Sequence, residues 1–510
     1  FFCVYCGTAA TLAAGLVGLT VGEQLLFGSL LGFAALSVST FLLAALHGLY
    51  PWVLCTGFSV AGLSLAMTVR SEGTLLPRWR QWWDHGRGAR PAQQCALALL
   101  AAAVMLGTAG AMAPGTDNDT LLYHLGAPSM YVQNHGLVYV PHNLWTNIPL
   151  FAEMLYTAGL SVVNQTLARL FVPCSYVLLL IGCWCFCRRH LPNASPWVPA
   201  LLVGSIPLLA ILNSTSLNDP MLLAYELGAL YAFVNFWRAA ASRERRGWLI
   251  VCAIACGGAA AIKYIGWLPA VALLPAAIWR MAALERWRGA LTPLAIGMAV
   301  MLLPSLWLAK NLVYTGNPVY PLAYSVFGGR NWSAELAAEY QAHMMSFGLR
   351  DEGLLGALKA PFVLVLDEER FGSKLGIGPL FLLLTPLALW AVRRASRLGR
   401  FLFGYALLHY AAWLVGPQAT RYILPGLLAW SFVIAESVAH VPGRPQHTRG
   451  RRSRAVGARA LVRGIICAGA ALNLGWFAVA QQTLLHPFDA IYGLESRRAY
   501  LQQEVPYYST

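Results

Sequence analysis

The run Thr116-Asp117-Asn118-Asp119-Thr120-Leu121-Leu122-Tyr123-His124-Leu125 follows directly on a long apolar stretch. It puts two carboxylates, a phenol and an imidazole close together, and no Lys or Arg occurs anywhere in 114–166 to neutralise the acids. An ionised carboxylate in such a place can take the proton of an attacking hydroxyl, which is general-base work. Capping of a helix N-terminus is the structural alternative. It explains one acid better than it explains a pair followed by Tyr-His, so Asp119 is the candidate base and Asp117 stands behind it. A further acid lies in Ser216-Leu217-Asn218-Asp219-Pro220. Asn-Asp-Pro reads equally well as a helix start with Pro at its first position. Glu226 follows about two helical turns later, at a depth where an acid must be paired or face a cavity. Three cations, Lys263, Lys310 and Arg421, fall at the ends of apolar stretches on the same side as these acids. Snorkelling toward lipid headgroups would account for them. An anion site is the functional alternative, with Arg suited to bidentate phosphate contacts and Lys acting as a point charge.

Two other groupings carry less. His135 and His142 flank Tyr139, and with His124 and the acids they could hold a divalent metal. Their spacing matches no zinc pattern, so no metal site is assigned and assistance by a divalent metal stays open. Cys183, Cys185 and Cys187 alternate along one apolar stretch. On a helix they would point in different directions, as buried small hydrophobes do.

The elements that must position these residues are membrane helices. Of 510 residues, 58% are hydrophobic and 11% charged, against about 25% charged in soluble domains. Such a chain cannot cover a water-facing surface. Apolar stretches fit for spanning, at about 20 residues each, lie near 3–20, 28–46, 50–68, 96–113, 168–187, 197–212, 221–237, 247–262, 266–280, 291–309, 376–391, 401–415, 422–438 and 464–481. The expected fold is an all-α, polytopic transmembrane bundle of about 14 spans. Lys and Arg gather in cytoplasmic connectors, and alternate connectors 70–95, 188–190, 238–246, 280–290, 392–400 and 439–463 hold 25 of the 36 basic residues. The net charge of +15 is explained by that topology and needs no nucleic acid. The two long connectors, 114–167 and 310–375, then share the outer face. Segment 149–166 reads as an amphipathic helix lying on the membrane, and 334–347 as a more polar one. The chain divides into extra helices with a basic loop (1–94), a core (95–440), a basic linker (441–463) and a last helix with an outside tail (464–510). It begins at Phe1, and no signal peptide is identified.

Acids and cations on one membrane face suit a reaction in which a sugar leaves a lipid phosphate. The leaving group departs as an anion and needs charge stabilisation, while the acceptor hydroxyl needs one base. Glycoside hydrolysis, by contrast, uses two carboxylates flanking one bond. The chain also resembles the GT-C superfamily of membrane glycosyltransferases, and within it the bacterial relatives of protein O-mannosyltransferases and lipid A aminoarabinose transferases. The resemblance rests on Asp119-x-x-x-Tyr123-His124-Leu125, the segment 149–155 with Glu153, Asn218-Asp219-Pro220, the stretch from Lys310-Asn311 through Thr315-Gly316-Asn317-Pro318-Val319-Tyr320-Pro321, and Arg421-Tyr422-x-Leu424-Pro425. It implies a GT-C fold with Asp119 as catalytic base and Asp219 as a second acid. It implies a polyprenyl-phosphate sugar donor held by Lys263, Lys310 or Arg421, and Tyr123, His124, Glu153 and Tyr320 as substrate-loop residues. The acceptor would be a lipid, glycan or protein, and the location a bacterial plasma membrane with the site on its outer face. Two departures stand out: roughly three spans precede the acidic loop, and only a short tail follows 481, which puts a protein acceptor in doubt. A transporter or flippase, and a polysaccharide polymerase or ligase, are the rival functions.

Overall fold

The computed structural model describes residues 16, 18–57, 59–60, 91–442 and 457–505. Every regular element among these is helical. Lipid leaves backbone groups no water to bond, so a spanning segment must satisfy them internally, as a helix does. Eight helices are long and apolar enough to cross a membrane.

The bundle is built from α1 (Val21–Ala45), α2 (Pro91–Met112), α3 (Gly126–Gln133), α4 (Phe151–Val162), α5 (Gln165–His190), α6 (Trp197–Gly204), α7 (Pro207–Leu212), α8 (Asp219–Arg238), α9 (Ser242–Ile262), α10 (Leu268–Thr315), α11 (Ala334–Met345), α12 (Gly353–Leu366), α13 (Leu380–Ala391), α14 (Arg397–Val415), α15 (Leu424–His440) and α16 (Ala458–Leu485). At the centre stands α8, buried on all sides from Asp219 to Phe236. A helix that is apolar all round is one packed by neighbours on every face. It packs against α1, α5 and α9. Gly258 of α9 makes this approach close: a Cβ there would run into the Tyr225 ring, whose hydroxyl donates to Leu30 O at 2.6 Å.

Several boundaries differ from the sequence reading for identifiable reasons. The expected span 28–46 begins at Val21 because Thr20 and Glu23 form a capping box. Glu23 reads as connector in hydropathy, yet it is 1% exposed and pairs with Arg189 at 2.8 Å. The stretch 197–212 breaks into α6 and α7, with Pro207 opening the second. The expected spans 266–280 and 291–309 join in one helical trace, α10. That trace is not a rod. In a straight helix residues 274 and 297 would lie about 35 Å apart, but a Cβ on Gly297 would sit 3.9 Å from Leu274. The chain therefore reverses between them, and the two arms lie side by side. The expected span 376–391 shrinks to the 12 residues of α13, about 18 Å of helix and too short to cross. Expected spans 3–20 and 50–68 lie largely outside the described residues.

The long loops are folded. Segment 149–166 does not leave one face of its helix open, as a helix resting on a surface would. Residues Phe151–Gly159 of α4 are all buried and pack against α1 and α5, because Glu153, its one charged residue, points to a buried partner and not to water. Helix α11, by contrast, has no buried residue.

Candidate functional site

The polar residues of the first loop converge with four other elements: α4, the N-terminus of α8, the link after α9, and the 3-10 turn Thr420–Ile423 before α15. The loop enters through a π-helical turn, Thr120–His124. Its two acids part company there. Asp117 Oδ1 accepts the Thr120 backbone N–H at 2.9 Å, so capping employs Asp117. Asp119 makes no cap, and its Oδ2 accepts instead from Arg421 Nη1 at 3.2 Å. That pair is part-exposed, with 28% of the Arg421 and 33% of the Asp119 side chain open, so a substrate can compete for it. Asp117→Ala should accordingly cost about 0.5–2 kcal/mol of stability, the usual worth of a cap, measured by thermal unfolding. Unchanged melting would remove the capping role.

Asp219 opens α8 without capping it through its side chain. It is 1% exposed, and its Oδ1 accepts from Lys263 Nζ at 2.7 Å. Burial alone would raise its carboxyl, but Lys263 and then Arg421 outweigh burial and hold it below the usual carboxylate range. Lys263 reaches it because α9 ends one residue earlier, turning that side chain back toward the bundle end.

Between these pairs lies a third. Glu153 and His124 are both fully buried, Oε1 to Nδ1 at 2.6 Å. The same Oε1 accepts from Asn218 Nδ2 at 3.0 Å. One carboxylate thus ties the acidic loop, α4 and the Asn-Asp-Pro turn together. Tyr123 is 4% exposed and stacks on Trp145 with ring centroids 5.8 Å apart. Burial first and Asp119 next push its phenol well up, so it stays a donor.

Not every expected residue joins the cluster. Lys310 is 6% exposed and donates to Thr146 O at 2.6 Å, which pins the first loop to the end of α10. Tyr320 is buried, and its carbonyl accepts from the Tyr264 hydroxyl at 2.8 Å, one residue from Lys263. His135 Nδ1 lies 3.2 Å from Leu49 O, and its ring stacks on Tyr50. Among the described residues no three of His, Cys, Asp and Glu converge as metal ligands do.

The sequence reading passed over Arg169. It is 3% exposed and donates to Ala113 O and, at 2.7 Å, to Ser214 O, holding the chain just before each of the two acidic turns. A basic residue at the end of an otherwise apolar stretch was the available signal. Beside the site an apolar cavity of ≈ 210 Å³ is lined by Phe381, Tyr410, Trp413, Ile423 and Trp430, among others. Ile423 belongs to the same 3-10 turn as Arg421.

A family described as a domain of unknown function, DUF8201, matches residues 1–428. The chain belongs to that family. The match takes in the helices that precede the acidic loop, so they are part of what DUF8201 chains share. No curated protein matches this one by sequence. Among solved structures the chain is similar to ArnT from Cupriavidus metallidurans, a lipid A aminoarabinose transferase. Its crystal structure with undecaprenyl phosphate aligns at 16% identity over 79% of this chain and 75% of that one, with a TM-score of 0.49. The apo crystal structure gives the same identity and coverage and a TM-score of 0.48.

Proposed function

We propose that this DUF8201 protein is a membrane glycosyltransferase that moves a sugar from a polyprenyl-phosphate donor to an acceptor hydroxyl at the outer face of a bacterial plasma membrane. The observation that carries the reading is the part-exposed Asp119–Arg421 pair beside the buried Asp219–Lys263 pair. A proton acceptor and two cations meet there at one end of the bundle.

In the reaction the acceptor oxygen attacks the anomeric carbon, and the bond from that carbon to the phosphate oxygen breaks. The electron pair leaves with polyprenyl phosphate, and the hydroxyl proton passes to Asp119. Direct displacement inverts the anomeric centre. Arg421 exchanges Asp119 for the donor phosphate, which both neutralises the leaving group and frees the carboxylate to act as base. Lys263, held by Asp219, adds a fixed charge. Lys310 anchors the loop, since its ammonium is engaged by Thr146 O. The apolar cavity behind Ile423 suits a prenyl chain whose head group lies at Arg421. Both long loops outside is the topology this reading requires.

One observation favours a transporter instead: Glu226 and His409, each about 2% exposed, lie 3.8 Å apart inside the bundle. Ionisable groups at that depth mark transport paths. Membranes carrying the protein should transfer labelled sugar from polyprenyl-phosphate donors, and Arg421→Gln should raise the donor KM about tenfold or more, a charge-assisted contact being worth about 1.5–3 kcal/mol. Absence of transfer from every donor, together with substrate uptake into vesicles, would replace the enzyme by the transporter.

A further inference from the structure

At the opposite end of the bundle a second constellation takes no part in this chemistry. Arg189 and His190 close α5, Asn235 and Arg238 lie in the last turn of α8, and Glu244 sits in the first turn of α9. With Ala239 and Ala240 they line a cavity of ≈ 220 Å³. Arg238 Nη1 lies 2.9 Å from His190 Nδ1. A guanidinium can only donate, so Nδ1 is the acceptor, the ring is neutral and its proton is on Nε2. Edge contacts with Phe186 and Tyr231 hold the ring in place.

His190 is 5% exposed and Asn235 4%. His190 and Asn235 pair with each other through their side chains, and no other partner is found for Asn235 Nδ2 among the described residues. The Asn235 amide keeps a buried N–H without an acceptor, which is costly. They stand beside two guanidiniums. Arg189 spends Nη1 on Glu23 at 2.8 Å, and Arg238 spends Nη1 on His190, which leaves each with further N–H groups. Glu244 is the one acid of the lining. It lies within electrostatic reach of Arg189 but does not satisfy the buried amide. The cavity therefore offers one buried amide donor and two cationic forks to a group rich in lone pairs. A carboxylate presents two oxygens to such a set. A phosphate presents more, in a tetrahedral spread that fits forks arriving from two helices.

We propose that this cavity binds a phosphate group, carried by an anionic lipid headgroup or free in solution. The site is independent of the transfer chemistry at the other end. The test uses the full-length protein purified in detergent, with native mass spectrometry against phosphatidylglycerol and phosphatidylcholine, and inorganic phosphate as competitor and as thermal-shift ligand. The expected result is preferential retention of phosphatidylglycerol or protection by inorganic phosphate, reduced about tenfold in Asn235→Leu and in Arg238→Gln. Retention that phosphate cannot displace identifies the lipid headgroup, and protection by phosphate without lipid preference identifies the free ion. Arg238 is exposed, so Arg238→Gln should leave folding intact, and the wild-type lipid preference needs no variant at all. Equal retention of both lipids with no protection by phosphate, or binding that both variants keep, would overturn the proposal.

Discussion

Asp119→Asn should lower sugar transfer from a polyprenyl-phosphate donor by about 10²–10⁴-fold, the usual worth of a positioned general base, and leave melting nearly unchanged. Asn keeps the size of the side chain but cannot take up a proton. The pair it loses, Asp119–Arg421, is about a third exposed on each side, and ion pairs this open contribute about 0–1 kcal/mol. Removing the carboxylate also leaves Arg421 free for the donor phosphate, so donor binding should be as tight as in the wild type or tighter. The loss therefore belongs in kcat and not in KM, the signature of an interaction made in the transition state. Single-turnover transfer by purified protein at saturating donor measures it. Transfer equal to wild type would move the base elsewhere, and a loss confined to KM would make Asp119 a binding residue. Asp117→Ala is the internal control, because Asp117 is spent on the Thr120 N–H and should alter melting more than turnover.

The helices were legible because membrane helices announce themselves in blocks of apolar residues. What failed were the places where a polar residue is used inside the protein. Glu23 shortened the expected span 28–46, although it is buried against Arg189. Segment 149–166 read as amphipathic, although Glu153, its one charge, faces His124 and Asn218 in the interior. Hydropathy scores a charge as solvent-facing and cannot see its partner. The site was readable to the extent that its members are exceptions to a trend. Acids without nearby cations drew attention to Asp119 and Asp219, and basic residues at outer ends to Lys263 and Arg421. The sequence could not say which acid caps and which is free. It could not show that Lys310 is occupied by a backbone carbonyl, or that Arg169 holds the chain just before each acidic turn. These depend on contacts between residues far apart in the chain.

The Glu153 carboxylate tests whether the site is held or merely adjacent. Glu153→Leu should destabilise the protein by about 3–5 kcal/mol, as removal of one partner from a buried polar pair does, read as a lower unfolding temperature in detergent. His124 and Asn218 both direct donors at Glu153 Oε1, and a leucine leaves both buried without an acceptor. Glu153→Gln keeps one carbonyl oxygen and the volume, so it should recover a large part of the loss. Glu153 Oε2 has no hydrogen-bond partner among the described residues, so an amide nitrogen placed there breaks no contact. Turnover should follow stability across this pair of variants, falling in Glu153→Leu and returning toward wild type in Glu153→Gln, because Glu153 touches no reacting atom and acts by fixing the loop of Asp119 against the turn of Asp219. A Glu153→Gln protein that melts like the wild type but has lost transfer would instead put this carboxylate among the reacting groups. Glu153→Leu melting with the wild type would show that the loop, α4 and the Asn218–Asp219 turn hold together without it.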